Sequence, residues 1–209
     1  LQQISENLQR GKAKLVAENV QEALNVGCSA SEILNNGLLP GMEIVGQRFK
    51  INEIFIPEVM ASARSMKKGL ELIRPLLVAE QQSFIGMAVI GTVKGDQHDI
   101  GKNLVAMMLE GAGLAVIDLG VDVSAEKFVQ AVQEHTPDLV VMSALLTTTM
   151  KEQGTIIEAL KAAGLREQVK VMVGGAPVTQ NFADKIGADA YTPDAATAAE
   201  VAKNFVVNK

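Results

Sequence analysis

The chain has 209 residues, 48% of them hydrophobic, which suffices for one large domain or two modest ones around a sizeable buried core and argues against disorder. A formal net charge of −5 with no basic run argues against nucleic-acid binding, which draws on clustered Lys and Arg. No apolar run approaches the roughly 20 residues of a membrane span, the opening LQQISENLQRGK has no signal-peptide pattern, and the single cysteine, Cys28, cannot form an internal disulfide. A cytoplasmic location is expected, with no membrane partner and no chemical role for Cys28.

From Ile4 to about Val26, apolar positions such as Val16, Val20, Ala23 and Leu24 recur at three and four residues, which predicts one amphipathic helix ended by Gly27. Ser31 is placed to cap a short second helix through Asn36, and Pro40 to begin a third that runs to about Phe49. Pro57 is expected to begin a fourth, on which Val59, Ala63, Met66, Leu70, Ile73 and Leu77 form one apolar face. Residues 1–82 thus read as an antiparallel helical bundle without strands.

The pattern changes at Ser83, with the polar AEQQS (79–83) as the linker. GMAVIGTV (86–93), LAVIDLG (114–120), DLVVMSAL (138–145) and VKVMVGG (169–175) are short apolar runs rich in β-branched residues, each followed by a helical stretch. A weaker run, ADAYTPD (188–194), precedes a last helix from about Ala195 to Val206. Residues 83–209 are therefore expected to form an α/β domain on a five-stranded parallel sheet.

In an open parallel sheet, ligands bind beyond the carboxyl ends of the strands, where the strand order reverses. For the order 2-1-3-4-5 that crevice lies between the first and third strands. The first strand runs into KGDQHDIG, the third into Ser143-Ala-Leu145-Leu-Thr147-Thr148-Thr149, and the fourth into Gly174-Gly175. Adjacent glycines are expected to leave room for a large ligand against the backbone. Asp96 stands two residues before His98, close enough to accept the proton of one ring nitrogen and so fix the tautomer and raise the basicity of the other. That arrangement serves a metal ligand or a catalytic base; a helix-capping Asp beside a surface His remains the plain alternative. A metal site built from protein side chains alone is disfavoured, because His135 is the only other histidine.

Other chemistries fail at particular positions. Gly101-Lys102 resembles the end of a phosphate loop, but Asp96 stands where its first glycine belongs and Asn103 where its Ser or Thr belongs. No G-x-G-x-x-G follows the first strand, so a dinucleotide site lacks support. A phosphoacceptor receiver needs an aspartate at the end of the third strand, where Ser143 and Leu145 stand. Ser143, His98 and Asp96 could be drawn as a hydrolase triad, but no G-x-S-x-G elbow is present.

Asp96-x-His98-x-x-Gly101, then 41 residues, Ser143-x-Leu145, then 28 residues, Gly174-Gly175 resembles the signature of cobalamin-binding domains of the methionine synthase and corrinoid methyltransferase type. The helical half, including VGQRF and IFIPEVMASARSMKK, resembles the cap domain of the same family. The whole is most similar to the stand-alone corrinoid proteins of methyltransferase systems acting on methanol, methylamines, betaines or methoxylated aromatics. This implies a helical cap followed by a flavodoxin-like (Rossmann-type) sheet and a cobalamin or related corrinoid as cofactor, methylcobalamin during turnover.

By the same resemblance, His98 would be the lower axial ligand of cobalt and Asp96 its hydrogen-bonded partner, the two groups of catalytic importance, with a hydroxyl among Thr147 to Thr149 extending the relay. The cofactor would rest on Gly95, Asp96, Gln97, His98, Asp99, Ile100 and Gly101. Its nucleotide tail would lie along Ser143, Leu145, Gly174 and Gly175, with Asp194 and Ala195 near its far end. Phe55 would shield the upper face, with Met42, Met60 and Met66 available there too. The function implied is a shuttle for a methyl group between a substrate-specific methyltransferase and a second one acting on tetrahydrofolate or a thiol coenzyme, with a reductive activator as a further partner. The protein would be a cofactor-bearing component of such a system and not a complete enzyme. A cobalamin-dependent regulator and an adenosylcobalamin mutase subunit are the alternatives; the first wants a basic recognition helix, and the cap would occupy the face that a mutase barrel must cover.

Overall fold

The computed structural model describes residues 1–79 and 84–208. Two compact units are present, one made of Leu1–Phe84 with Gly111–Gly113, the other of Ile85–Glu110 and Leu114–Lys209. The boundary expected between residues 82 and 83, and most of the AEQQS linker, lie outside the described residues.

The first unit is helical: α1 (Gln2–Gln9), α2 (Ala13–Asn25), α3 (Ala30–Ile33), a π-helical turn (Leu34–Leu38), α4 (Leu39–Lys50) and α5 (Ile56–Ala79). Where one helix was predicted from Ile4 to Val26, the chain breaks at Gly11, whose φ of 66° belongs to the left-handed region. A Cβ there would lie 2.6 Å from that of Ala61 on α5, so the close approach of α5 sets the break. The cap of α3 is Ser29 and not Ser31: its hydroxyl accepts from Glu32 N–H while the Glu32 carboxylate accepts from Ser29 N–H. The helix predicted to end at Asn36 instead passes through the π turn straight into α4, with Pro40 in its first turn. On α5 all six apolar-face positions named from the spacing are buried, Val59 and Ile73 completely.

The second unit is a sheet of five parallel strands in the order β2-β1-β3-β4-β5, flavodoxin-like. The strands are β1 (Gly86–Thr92), β2 (Leu114–Asp118), β3 (Leu139–Ser143), β4 (Lys170–Gly174) and β5 (Ala190–Tyr191). Helices α6 (Ile100–Gly111), α7 (Ala125–His135), α8 (Lys151–Ala162), α9 (Gln180–Ile186) and α10 (Ala195–Val207) follow them in turn. Val89, Val140, Val171 and Val173 pack with Phe128, Ile156, Ile157 and Leu160 as one buried layer. The register aligns Thr92 with Ser143 and Ser143 with Gly174, so three strands end in one row. The β5 run predicted over 188–194 shortens to two residues because only Ala190 and Tyr191 pair with β4.

Candidate functional site

Beyond that row, the β1–α6 loop carries Asp96 and His98. The Asp96 carboxylate is fully buried and accepts four hydrogen bonds. Its Oδ1 takes His98 Nδ1–H at 2.7 Å and His98 N–H at 3.1 Å. Its Oδ2 takes Leu145 N–H at 2.8 Å and the Thr149 hydroxyl at 2.7 Å. Burial by itself would raise the pKa of Asp96, but the donors from Thr149, His98 and Leu145 outweigh it and hold the group far below the usual carboxylate range. An ionised Asp96 fixes the His98 tautomer with its proton on Nδ1, and Nε2 of the half-exposed ring keeps its lone pair.

The loop backbone is anchored as well. The buried Thr92 hydroxyl donates to the His98 carbonyl at 2.9 Å. Gly95 N–H donates to Asp122 Oδ1 at 2.7 Å, and Asp122 N–H returns a bond to the Asp96 carbonyl at 3.0 Å. Asp122 adopts φ 53°, a conformation that Asp tolerates better than most residues. Thr92 and Asp122 were not singled out from the sequence. Nor was the buried Lys102 as an ion-pair partner: its ammonium meets Asp118 at the end of β2 and Asn103 Oδ1. A polar residue closing an apolar strand, as in Thr92, is the signal that could have been used.

The structure brings Asp96, His98, Leu145 and Thr149 into contact and chooses Thr149 as the hydroxyl of the relay, while Thr147 and Thr148 are exposed. Gly95, Gln97, Asp99, Ile100 and Gly101 are exposed around His98, and a Cβ on Gly101 would meet nothing. The explanation offered for the glycine pair changes. A Cβ on Gly175 would come within 1.8 Å of the Ala144 carbonyl oxygen, and one on Gly174 within 3.1 Å of the Thr192 oxygen. Gly175 is thus required by the packing of the protein's own main chain, whereas at Gly174 the contact would be tight without a direct clash. Asp194 caps α10, accepting from Thr197 N–H and from its hydroxyl at 2.8 Å each, and Ala195 is buried behind it. In the helical unit Phe55 is exposed, and Met42 and Met66 are buried.

Among the described residues no cluster of three His, Cys, Asp or Glu could hold a metal ion. No helix among them is long and apolar enough to cross a membrane. A metal meeting His98 would therefore have to bring further ligands of its own, and one imidazole oriented by a buried carboxylate fits such a complex.

Comparison with known proteins gives the same answer along the whole chain. Residues 86–202 match one B12 binding domain model and residues 1–74 match a second model of that description. The trimethylamine corrinoid protein 2 of Methanosarcina mazei is 50% identical over 180 residues, covering 85% of this chain and 83% of that protein. The dimethylamine corrinoid protein 2 of Methanosarcina acetivorans is 43% identical over 210 aligned residues, covering 100% of this chain and 97% of that one. A chain in the crystal structure of the methanol:cobalamin methyltransferase complex from Methanosarcina barkeri is 31% identical, with a TM-score of 0.90 over 99% of this chain and 79% of that chain. With a buried carboxylate tuning one histidine at the reversal point of the sheet, and with both halves matched, the chain belongs to the family of B12-binding corrinoid proteins that serve methyltransferases.

Proposed function

We propose that the chain carries a methyl group between a methyltransferase that takes it from a methylated amine and a second one that passes it to tetrahydrofolate or a thiol coenzyme. The bond from His98 Nδ1 to Asp96, backed by Thr149, is the single observation that carries the residue roles. The amine as donor rests on the corrinoid relatives. The bound corrinoid supplies a cobalt centre that accepts and gives up the methyl group.

His98 Nε2 would hold the cobalt in this reading. Asp96 stays ionised throughout, so the ring keeps its orientation whether Nε2 is engaged or released. The Asp96 charge would make His98 a stronger donor toward a metal than an isolated histidine. The segment from Gly95 to Gly101, largely exposed around His98, would hold the corrin ring. Main chain from Ser143 to Leu145 and at Gly174 and Gly175 would hold the nucleotide tail, with Asp194 and Ala195 toward its far end. On the helical unit Phe55 is exposed and would be the aromatic offered to the corrinoid. None of these groups cleaves the bond in the methylated substrate; that task belongs to the partner methyltransferase.

The test is the visible spectrum of the methylated, corrinoid-loaded protein. His98→Ala retains the corrinoid through its tail, about tenfold to a hundredfold more weakly, and its spectrum loses the signature of an axial nitrogen. An unchanged spectrum would remove His98 from this role. No observation favours the regulator or the mutase-subunit reading.

A further inference from the structure

Gln153 is polar, fully buried and unused by the chemistry above. It stands on α8, one helical turn beyond Thr149. Its side-chain amide donates from Nε2 to two main-chain carbonyls, Met142 on β3 and Gly174 on β4, each at 3.1 Å. The Gly174 carbonyl also accepts from Ala144 N–H at 3.2 Å. These bonds fall at the rung where Ser143 pairs with Gly174, immediately before both strands reach their carboxyl ends. The Gln153 Oε1 atom has no hydrogen-bond donor among the described residues.

An unpaired buried oxygen costs about as much as two neutral hydrogen bonds gain. Methionine would fill the space without that cost, so net stability does not account for glutamine here. What glutamine adds is geometry: a planar amide that ties two adjacent strand ends to α8. Helix α8 and the turn that leads into it thus fasten both sides of the site, Thr149 holding the carboxylate behind His98 and Gln153 holding the edge from Ser143 to Gly174.

We propose that Gln153 is a positioning residue that anchors the β3–β4 edge to α8 and so places it for the nucleotide tail of the corrinoid, without touching the cofactor. The inference rests on the corrinoid reading above and deepens it, because it assigns Gln153 to tail recognition and not to cobalt coordination.

The experiment titrates cofactor-free protein with hydroxocobalamin and with aquacobinamide, which shares the ring and cobalt but lacks the nucleotide tail. Wild type is compared with Gln153→Met, which loses both donors at similar volume, and with Gln153→Glu, which keeps the shape and sets a carboxylate against two carbonyls. Both variants should bind hydroxocobalamin about tenfold more weakly and aquacobinamide within about twofold of wild type. If Gln153→Met does not fold, Gln153→Glu decides by the same ratio. Equal losses for the two corrinoids, or no loss for either, would overturn the assignment. Wild-type protein that takes up no hydroxocobalamin overturns the cofactor reading, and this inference with it.

Discussion

The Thr149 hydroxyl donates to Asp96 Oδ2 at 2.7 Å, joining two buried side chains 53 positions apart in sequence. Thr149→Val removes the donor, leaves a buried carboxylate oxygen short of one bond and raises the pKa of Asp96. A loss of about 1–2 kcal/mol is expected in urea unfolding of the cofactor-free protein. Thr149→Ser, which keeps the hydroxyl, should recover most of it. If Val and Ser variants melt alike, the bond contributes nothing.

The depressed pKa of Asp96 also sets a pH dependence. An unfolded aspartate titrates near 3.9, and the folded group lies below that. Its contribution is therefore complete above about pH 4 and is lost as pH falls toward the folded value. Asp96→Asn should cost about 2 kcal/mol at pH 7, with the gap to wild type shrinking as the solution is taken to pH 3. A gap independent of pH would show that ionisation of Asp96 is not what is being lost.

Asp122 combines a left-handed backbone with a side chain that accepts from Gly95 N–H. Asn tolerates the same conformation and keeps an acceptor oxygen, so Asp122→Asn should stay within about 0.5 kcal/mol of wild type. Asp122→Ala should lose about 1–2 kcal/mol. Chemical denaturation of the pair checks this, and equal stability of the two would mean that the clamp on the His98 loop is idle.

Gly175 offers a separation of structural from ligand roles. Since a Cβ would run into the Ala144 carbonyl, and φ is 127°, Gly175→Ala should destabilise even the cofactor-free protein by about 3 kcal/mol or more. Were glycine there only to make space for a ligand, the cofactor-free variant would melt with wild type and only corrinoid uptake would suffer.

The sheet was legible because each strand is a short β-branched run bounded by glycine or polar residues, and a parallel sheet with its helices admits few orders. The apolar face of α5 was legible from spacing alone. The break at Gly11 was not: the periodicity continues across it, and only the approach of Ala61 makes it necessary. Asp96 and His98 could be paired because they are neighbours in sequence. Which of three threonines completes the relay depends on how the β3–α8 loop turns, and spacing does not encode that. Asp122 and Gln153 act through main-chain partners far along the chain, where residue type gives little hint.

The three fastenings of the His98 loop, at Thr92, Gly95 and Asp96, bear on entropy as well as place. With its backbone held on both sides and Nδ1 bonded to Asp96, the imidazole is oriented before any ligand arrives. A ring held in this way leaves little ordering entropy to be lost when a ligand binds it.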